Sequence, residues 1–227
     1  MAIRIARQKL GQVFSQRCFY LFAVLLALVA GVPFVPPTPI GRLAVGGINA
    51  FLVIATVAAV GRTVLSFVIA LLLAAPALLF QYLGVTTGQP DPLAISWLCA
   101  AVLYGAAVTY LLRYVFHPEV MTSDKLYGAA ASYLMLGVVW AYIYPLVDYF
   151  YPRSFSVGGQ AGSLPPIDAL YFSFTVLTST GFGDIVPLGK QARAVCVVEQ
   201  VTGALFVAIL IARLAGVYLP IPRDRRS

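Results

Sequence analysis

Long runs of apolar side chains, separated by polar or proline-rich turns, are the feature that most restricts the fold of this chain. A helix of about 20 apolar residues crosses the roughly 30 Å hydrocarbon core of a bilayer. Hydrophobic residues make up 61% of the chain and charged residues 10%, whereas soluble domains carry roughly 25% charged residues. We therefore expect an all-α integral membrane protein. The predicted spans are residues 18–35, 43–60, 64–83, 93–112, 126–151 and 191–219.

The Lys and Arg residues lie mostly at the ends of these runs, and their distribution predicts the orientation of the chain. Six crossings place both termini on the same side of the membrane. Of the 15 Lys and Arg residues, all except Arg42, Arg153, Lys190 and Arg193 then lie on that side. Because cytoplasmic loops are enriched in basic residues, we expect cytoplasmic termini and a location in the cell (inner) membrane. The net charge of +7 is spread over span ends, so we expect contact with lipid and none with nucleic acid.

A polar segment with the sequence TSTGFGD, residues 178–184, lies between the last two runs and is called the filter segment below. It follows a short helix-like stretch at residues 168–177, where Asp168 suits a helix N-terminus. Non-helical backbone is tolerated at membrane depth only where protein buries it or where it lines a water-filled path. Gly181 and Gly183 permit backbone angles that other residues rarely adopt. Successive carbonyl groups can then face one way and replace the water shell of an ion.

The filter segment resembles the selectivity filter of the potassium channel pore family. The family sequence is Thr-Val-Gly-Tyr-Gly-Asp, and residues 179–184 read Ser-Thr-Gly-Phe-Gly-Asp. The resemblance extends over residues 126–219. Residues 169–175 fit the aromatic-rich pore helix of the family, and Gly203 falls where its inner helix carries a hinge glycine. The chain is similar to bacterial six-span members with a two-helix pore domain.

The resemblance implies a pore domain at residues 125–227, built from an outer helix, a re-entrant pore helix, the filter and an inner helix. A four-helix transmembrane region would precede it at residues 1–124. One filter segment per chain implies a homotetramer, with three further copies as partners, because an ion needs ligands on all sides. Potassium would bind the carbonyl oxygens of four residues and one hydroxyl group. The carbonyl ligands belong to Ser179, Thr180, Gly181 and Phe182, and the hydroxyl ligand belongs to Ser179. Gly183 is the last residue of this ion-binding segment.

Three residues of the filter segment differ from the family sequence, and two of them, Ser179 and Phe182, bear on selectivity. Ser179 replaces a threonine, which keeps the hydroxyl group but removes the methyl group that restricts its rotamer. Phe182 replaces a tyrosine and lacks the phenolic hydroxyl that bonds to the pore helix. We expect a passive potassium-selective channel. The alternatives are a weakly selective monovalent cation channel, a potassium transporter subunit, and a membrane scaffold that does not conduct.

Five residues are expected to support the filter, namely Tyr171, Thr175, Thr178, Asp184 and Glu199. Asp184 follows the filter and is expected to face the outer vestibule. In relatives an acidic pore-helix residue or an aromatic partner holds this carboxylate, and the acidic position here is Thr175. Tyr171 is therefore the candidate partner of Asp184. The alternative for Asp184 is a solvated carboxylate that concentrates cations at the pore mouth.

The last apolar run contains two further candidates, Glu199 and Gly203. Glu199 is an intramembrane carboxylate, which is costly to bury and by default a candidate for function. We expect it either to face the cavity or to lie behind the filter, bonded to a pore-helix hydroxyl group such as that of Thr178. Gly203 is either a gating hinge or a small residue that lets helices pack closely.

Several functions are not expected from this sequence. Residues 93–112 lack the arginines at three-residue spacing that a voltage sensor requires. Cys18, Cys99 and Cys196 lie singly in apolar runs, which predicts neither disulfides nor a metal site. We expect no enzymatic activity and no cofactor apart from potassium ions in the filter. The sequence indicates neither a gating stimulus nor a regulatory partner.

Overall fold

The computed structural model describes residues 17–35, 38, 47–48, 50–53, 56, 64–117 and 122–218, and within these ranges the chain is mainly helical. This confirms the expected helical class, with one small sheet as a local exception. The elements in chain order are α1 (Arg17–Gly31), a 3-10 helix (Val32–Phe34), α2 (Val64–Thr87), α3 (Pro90–Val115), α4 (Ser123–Phe150), β1 (Phe155–Val157), β2 (Gln160–Gly162), α5 (Pro166–Leu177), β3 (Ile185–Pro187) and α6 (Lys190–Tyr218).

Four helices in the described ranges are long and apolar enough to cross a membrane, and they match the third to sixth predicted spans. They are Phe67–Thr87, Pro90–Val115, Ser123–Phe150 and Lys190–Arg213. The first predicted span is helical as α1, but α1 has 15 residues, fewer than the roughly 20 that cross a bilayer. The second, residues 43–60, lies largely outside the described residues. A six-span layout therefore stays a prediction.

The connection between α2 and α3 is shorter than the gap between the predicted spans 64–83 and 93–112. Gly88 and Gln89 alone separate the two helices. Gly88 has a φ of 68°, a left-handed conformation that favours glycine, and its N–H donates to the Gly84 carbonyl oxygen at 3.0 Å. Pro90 begins α3, where a residue without an N–H costs no helical hydrogen bond. This turn chemistry closes the helical hairpin within two residues.

α4 lies at the centre of the packing, because α1, α3, α5 and α6 all contact it. Leu25, Tyr104 and Met135 are buried in the core that α1, α3 and α4 share. The helices approach closely where a small residue permits it. A side chain at Gly128 would lie 3.3 Å from the Cys18 sulfur. α4 therefore forms the scaffold against which the filter-bearing part of the chain is placed.

Polar contacts at the start of α4 join it to α1 and α3. Asp124 Oδ1 accepts the N–H of Cys18 at 3.0 Å, and Oδ2 accepts the hydroxyl group of Tyr114 at 2.9 Å. The buried Lys125 amino group donates to the His117 carbonyl oxygen at 3.3 Å. Because buried polar groups are costly unless they are paired, these contacts hold the three helix ends in one arrangement.

A three-stranded antiparallel sheet, in the order β2-β1-β3, follows α4. The sequence-based predictions leave residues 153–166 as a connection without strands. Gly158 and Gly159, with φ of 59° and 83°, make the two-residue turn between β1 and β2, as type I′ turns require. A Gly-Gly pair between two short strand-like runs predicts a β-hairpin, and this pattern is present in the sequence. Since β1 also pairs with β3, the sheet joins residues 155–162 to the chain that leaves the filter segment.

Candidate functional site

The filter segment leaves the C-terminal end of α5 as non-helical backbone. Ser179, Gly181 and Gly183 have positive φ angles of 57°, 54° and 83°. The residues between them, Thr180 and Phe182, do not have positive φ angles. Such alternation turns successive peptide groups the same way, so their carbonyl groups can share one side. The two glycines adopt these angles without steric cost. The positive φ of Ser179 was not predicted.

The N–H groups of the filter segment bond to carbonyl groups of α5. The Ser179 N–H donates to the Val176 oxygen at 2.9 Å, and the N–H groups of Thr180 and Gly181 donate to the Thr175 oxygen at 2.8 and 3.1 Å. In a trans peptide the N–H and the carbonyl group point in opposite directions. The carbonyl oxygens of Ser179 and Thr180 therefore point away from α5.

Threonine hydroxyl groups complete the turn between α5 and the filter segment. Thr178 Oγ1 donates to the Phe174 carbonyl oxygen at 2.6 Å and lies 2.8 Å from Thr180 Oγ1. The Thr175 hydroxyl donates to the Phe172 carbonyl oxygen at 2.8 Å. Thr175 thus contacts the filter through its backbone carbonyl and directs its side chain back to its own helix.

The C-terminal end of the filter segment lies near acidic and phenolic side chains. Loss of hydration, and after it the interaction of the phenol with the nearby Asp184 carboxylate, raises the pKa of Tyr171. Tyr171 therefore lies near Asp184, as expected from the sequence, and its role in holding this carboxylate stays a prediction. The Asp184 carbonyl oxygen accepts the N–H of Gly158 at 2.9 Å. Partial burial and the nearby Asp184 raise the pKa of Asp168, and two neighbouring carboxyl groups attract cations to this end of the segment.

Glu199 lies on α6 and is completely buried. Its Oε2 accepts a hydrogen bond from the Tyr144 hydroxyl of α4, and its Oε1 lies 2.6 Å from the Ser173 hydroxyl of α5. Of the two predicted placements, the structure shows the one behind the pore helix. The pore-helix partner is Ser173, whereas the sequence suggested Thr178. The carboxyl group therefore joins three helices, and a functional role for it stays a prediction.

Gly203 is buried where α6 meets the end of α5. A side chain at this position would overlap the Leu177 carbonyl oxygen and lie 3.0 Å from Leu177 Cδ1. The hydroxyl group of Tyr133 on α4 donates to the same Leu177 oxygen at 3.2 Å. Gly203 thus permits a close approach at the point where the filter segment begins. This favours the packing interpretation, and the hinge role stays a prediction.

Comparison with known proteins identifies the family. A family model described as "Ion channel" matches residues 97–219, more than half of the chain. The chain belongs to this ion channel family. The matched part of the channel runs from within α3 through α4, α5 and the filter segment to the end of α6. Protein LctB of Bacillus caldotenax is 29% identical over 119 residues, which is 50% of this chain and 87% of that protein. No solved structure matches the channel.

The filter segment of the channel is exposed in a single chain along its whole length. Phe182 has an exposed fraction of 71%, and its ring lies parallel to that of Tyr171 with 6.3 Å between the ring centres. Apolar side chains of α6 are exposed as well. They include Val197, Val198, Val201, Leu205 and Ile209. A lone chain therefore presents both a polar backbone and a hydrophobic helix face on its surface.

Three site residues of the channel were missed at the sequence level, namely Ser173, Tyr144 and Tyr133. Ser173 and Tyr144 are 26 and 55 residues from Glu199 in the chain. The packing of α4, α5 and α6 brings them together, and no local pattern marks a serine or tyrosine as the partner of a distant carboxyl group. The intramembrane glutamate was the available signal, because a buried carboxyl group must find hydrogen-bond partners.

Proposed function

We propose that this ion channel conducts potassium ions passively through a filter built from residues 179–183. The observation that carries the proposal is the backbone geometry: the N–H groups bond to α5, and the Ser179 and Thr180 carbonyl oxygens point away from it. Potassium channels replace the hydration shell of the ion with rings of backbone carbonyl oxygens. The proposed ligands are the carbonyl oxygens of Ser179, Thr180, Gly181 and Phe182, with the Ser179 hydroxyl group.

The proposed assembly is a homotetramer around one axial pore. One chain supplies one row of carbonyl groups, and an ion requires ligands on all sides. Non-helical backbone at membrane depth must be covered by protein or line a water-filled path, and the exposed Phe182 ring also needs a cover. Closed rotational symmetry places equivalent segments around an axis and meets both needs. Three further copies of the chain are therefore the proposed partners.

We place the channel in the cell membrane with both termini in the cytoplasm, following the distribution of Lys and Arg. Gating by a charged voltage sensor is not part of the proposal. Asp91 lies in the first turn of α3 and Arg113 in the last, and the residues between them carry no charge. Opening should therefore depend weakly on voltage through this helix.

The second candidate function is a weakly selective monovalent cation channel. Phe182 favours it, because the ring stacks on Tyr171 and has no hydroxyl group to anchor the filter backbone. A filter that is held less rigidly discriminates less between ions of similar size. A potassium transporter subunit is less favoured, since such proteins carry four pore-like repeats in one chain and this chain carries one.

Ion flux from vesicles tests the proposal. We expect the purified channel to pass potassium and exclude sodium, and native mass measurement to give four subunits.

Gly181→Ala should abolish conduction, because alanine is strained at a φ of 54° although no atom lies within 4 Å of the new carbon. Gly105→Ala is the matched control, since its site is equally open but lies in a regular helix. Equal sodium and potassium flux would support the second candidate, and a stable conducting dimer would refute the tetramer.

A further inference from the structure

The Ser173 hydroxyl group lies between two hydrogen-bond acceptors. Its Oγ is 2.8 Å from the Gly137 carbonyl oxygen and 2.6 Å from Glu199 Oε1. A serine hydroxyl has a single proton to donate, and a carbonyl oxygen has none. One of the two short contacts therefore needs a proton from the other partner. Since Gly137 cannot supply it, Glu199 is the remaining source.

We propose that Glu199 is protonated in the assembled channel and donates to Ser173, so that a neutral carboxyl group connects α4, α5 and α6 behind the filter. The donors then form one continuous chain. Glu199 donates to Ser173, Ser173 donates to the Gly137 carbonyl oxygen, and Tyr144 donates to the second oxygen of Glu199. Every polar atom of the group has a partner of the right kind, as buried polar networks require.

Among the residues that the structure describes, no basic side chain interacts with Glu199 to compensate an ionised carboxylate. The other titratable groups that face it in the described part of the chain are Tyr144 and Tyr133 on α4 and Cys196 on α6. In the described part of the chain, the Glu199 carboxyl group interacts with the side chains of Ser173 and Tyr144. Neither of these side chains is basic. A buried charge without a partner is strongly disfavoured, whereas the protonated form needs no counter-ion.

The network bears on conduction through the position of α5. Ser173 lies two residues before Thr175, whose carbonyl oxygen receives the N–H groups of Thr180 and Gly181. Gly137 lies close to the same helix, since a side chain there would lie 2.6 Å from the Phe174 ring. Glu199 is therefore a positioning residue that fixes the helix end to which the filter backbone is bonded. Its hydrogen bonds within the described part of the chain are with Ser173 and Tyr144, and neither residue is a proposed ion ligand.

Infrared spectroscopy can detect the proton directly, because the chain has two glutamates, Glu119 and Glu199. The full channel, made with glutamate labelled with carbon-13 at the side-chain carboxyl group, would be reconstituted in lipid at neutral pH. We expect a labelled carboxylic-acid carbonyl band in the wild type and in Glu119→Gln, and its loss in Glu199→Gln. Ser173→Ala should shift this band to higher frequency because the acid loses its acceptor. A spectrum with carboxylate bands alone, in wild type and in Glu119→Gln, would overturn the proposal.

Conduction measured on matched variants separates a neutral donor from a charge. Glutamine has an amide N–H for Ser173 and an oxygen for Tyr144, so Glu199→Gln should retain conduction and tetramer stability. Glu199→Ala should lose both, and if it fails to assemble, the Glu119→Gln spectrum still decides the protonation state. Loss of conduction in Glu199→Gln with an intact tetramer would show that the charge is needed and would refute a neutral role. The infrared result does not depend on conduction, so it stands or falls separately from the proposed function.

Discussion

Replacement of Gly203 by alanine separates packing from hinge motion, because the two interpretations predict opposite signs. The new methyl group would overlap the Leu177 carbonyl oxygen, which is a backbone atom and cannot rotate away like the end of a side chain. Overpacking of this kind costs about 1–3 kcal/mol in each subunit, or roughly 5- to 150-fold in the folding equilibrium. If Gly203 served only as a flexible hinge, alanine would instead stabilise α6 by about 0.5–1 kcal/mol.

The assay is thermal dissociation of the tetramer in detergent, with conduction recorded on the same preparation. We expect Gly203→Ala to dissociate at lower temperature and to conduct less, because displacement of Leu177 moves the start of the filter segment. Gly105→Ala controls for helix propensity, since no atom lies within 4 Å of the added carbon, and it should be neutral or stabilising. A Gly203→Ala tetramer more stable than the wild type, with altered opening, would refute the packing argument and support the hinge.

Three further predictions concern the filter and its supports. Ser179→Ala should weaken block by internal barium several-fold while potassium preference is retained, because one hydroxyl ligand per subunit is lost and the backbone carbonyl groups remain; unchanged block would show that the hydroxyl group is not a ligand. Gly137→Ala should lower the dissociation temperature through an overlap with the Phe174 ring, at a cost of about 1–3 kcal/mol, and an unchanged temperature would mean that the ring moves freely. The raised pKa of Asp168 means that its ionised form opposes folding above that pKa and that this cost vanishes below the ordinary value of 3.8. Asp168→Asn should therefore stabilise the channel at neutral pH and not in acid, and equal stabilisation at both would contradict this.

The long helices could be predicted from the sequence because hydrophobic length is a local property. α2, α3, α4 and α6 lie within a few residues of the predicted spans, since each run of apolar side chains must be long enough to cross the same hydrocarbon layer. The filter segment could also be predicted from a local sequence pattern. Gly181 and Gly183 stand at alternate positions, and their positive φ angles are those for which glycine is suited.

Local signals were incomplete at two places near the filter. The hairpin of β1 and β2 carries a Gly-Gly turn that could have been recognised, but its pairing with β3 depends on chain that follows the filter segment. Ser179 also has a positive φ, and a serine in the sequence does not predict that conformation. Its conformation follows from the neighbouring N–H groups, which bond to the end of α5.

The sequence alone indicated that Glu199 is a candidate functional residue, because it is a carboxylate in an apolar run. Its hydrogen-bond partners could be identified only from the tertiary structure. Burial of a carboxyl group in an apolar helix is visible in one stretch of chain. The choice between Thr178 and Ser173, and the addition of Tyr144, depends on how α4, α5 and α6 approach one another. The same holds for Gly203, whose contact with Leu177 requires two helices to cross at that point. Hydrophobic length and glycine placement act along the chain, whereas hydrogen-bond pairing and close packing exist only between elements that folding has brought together.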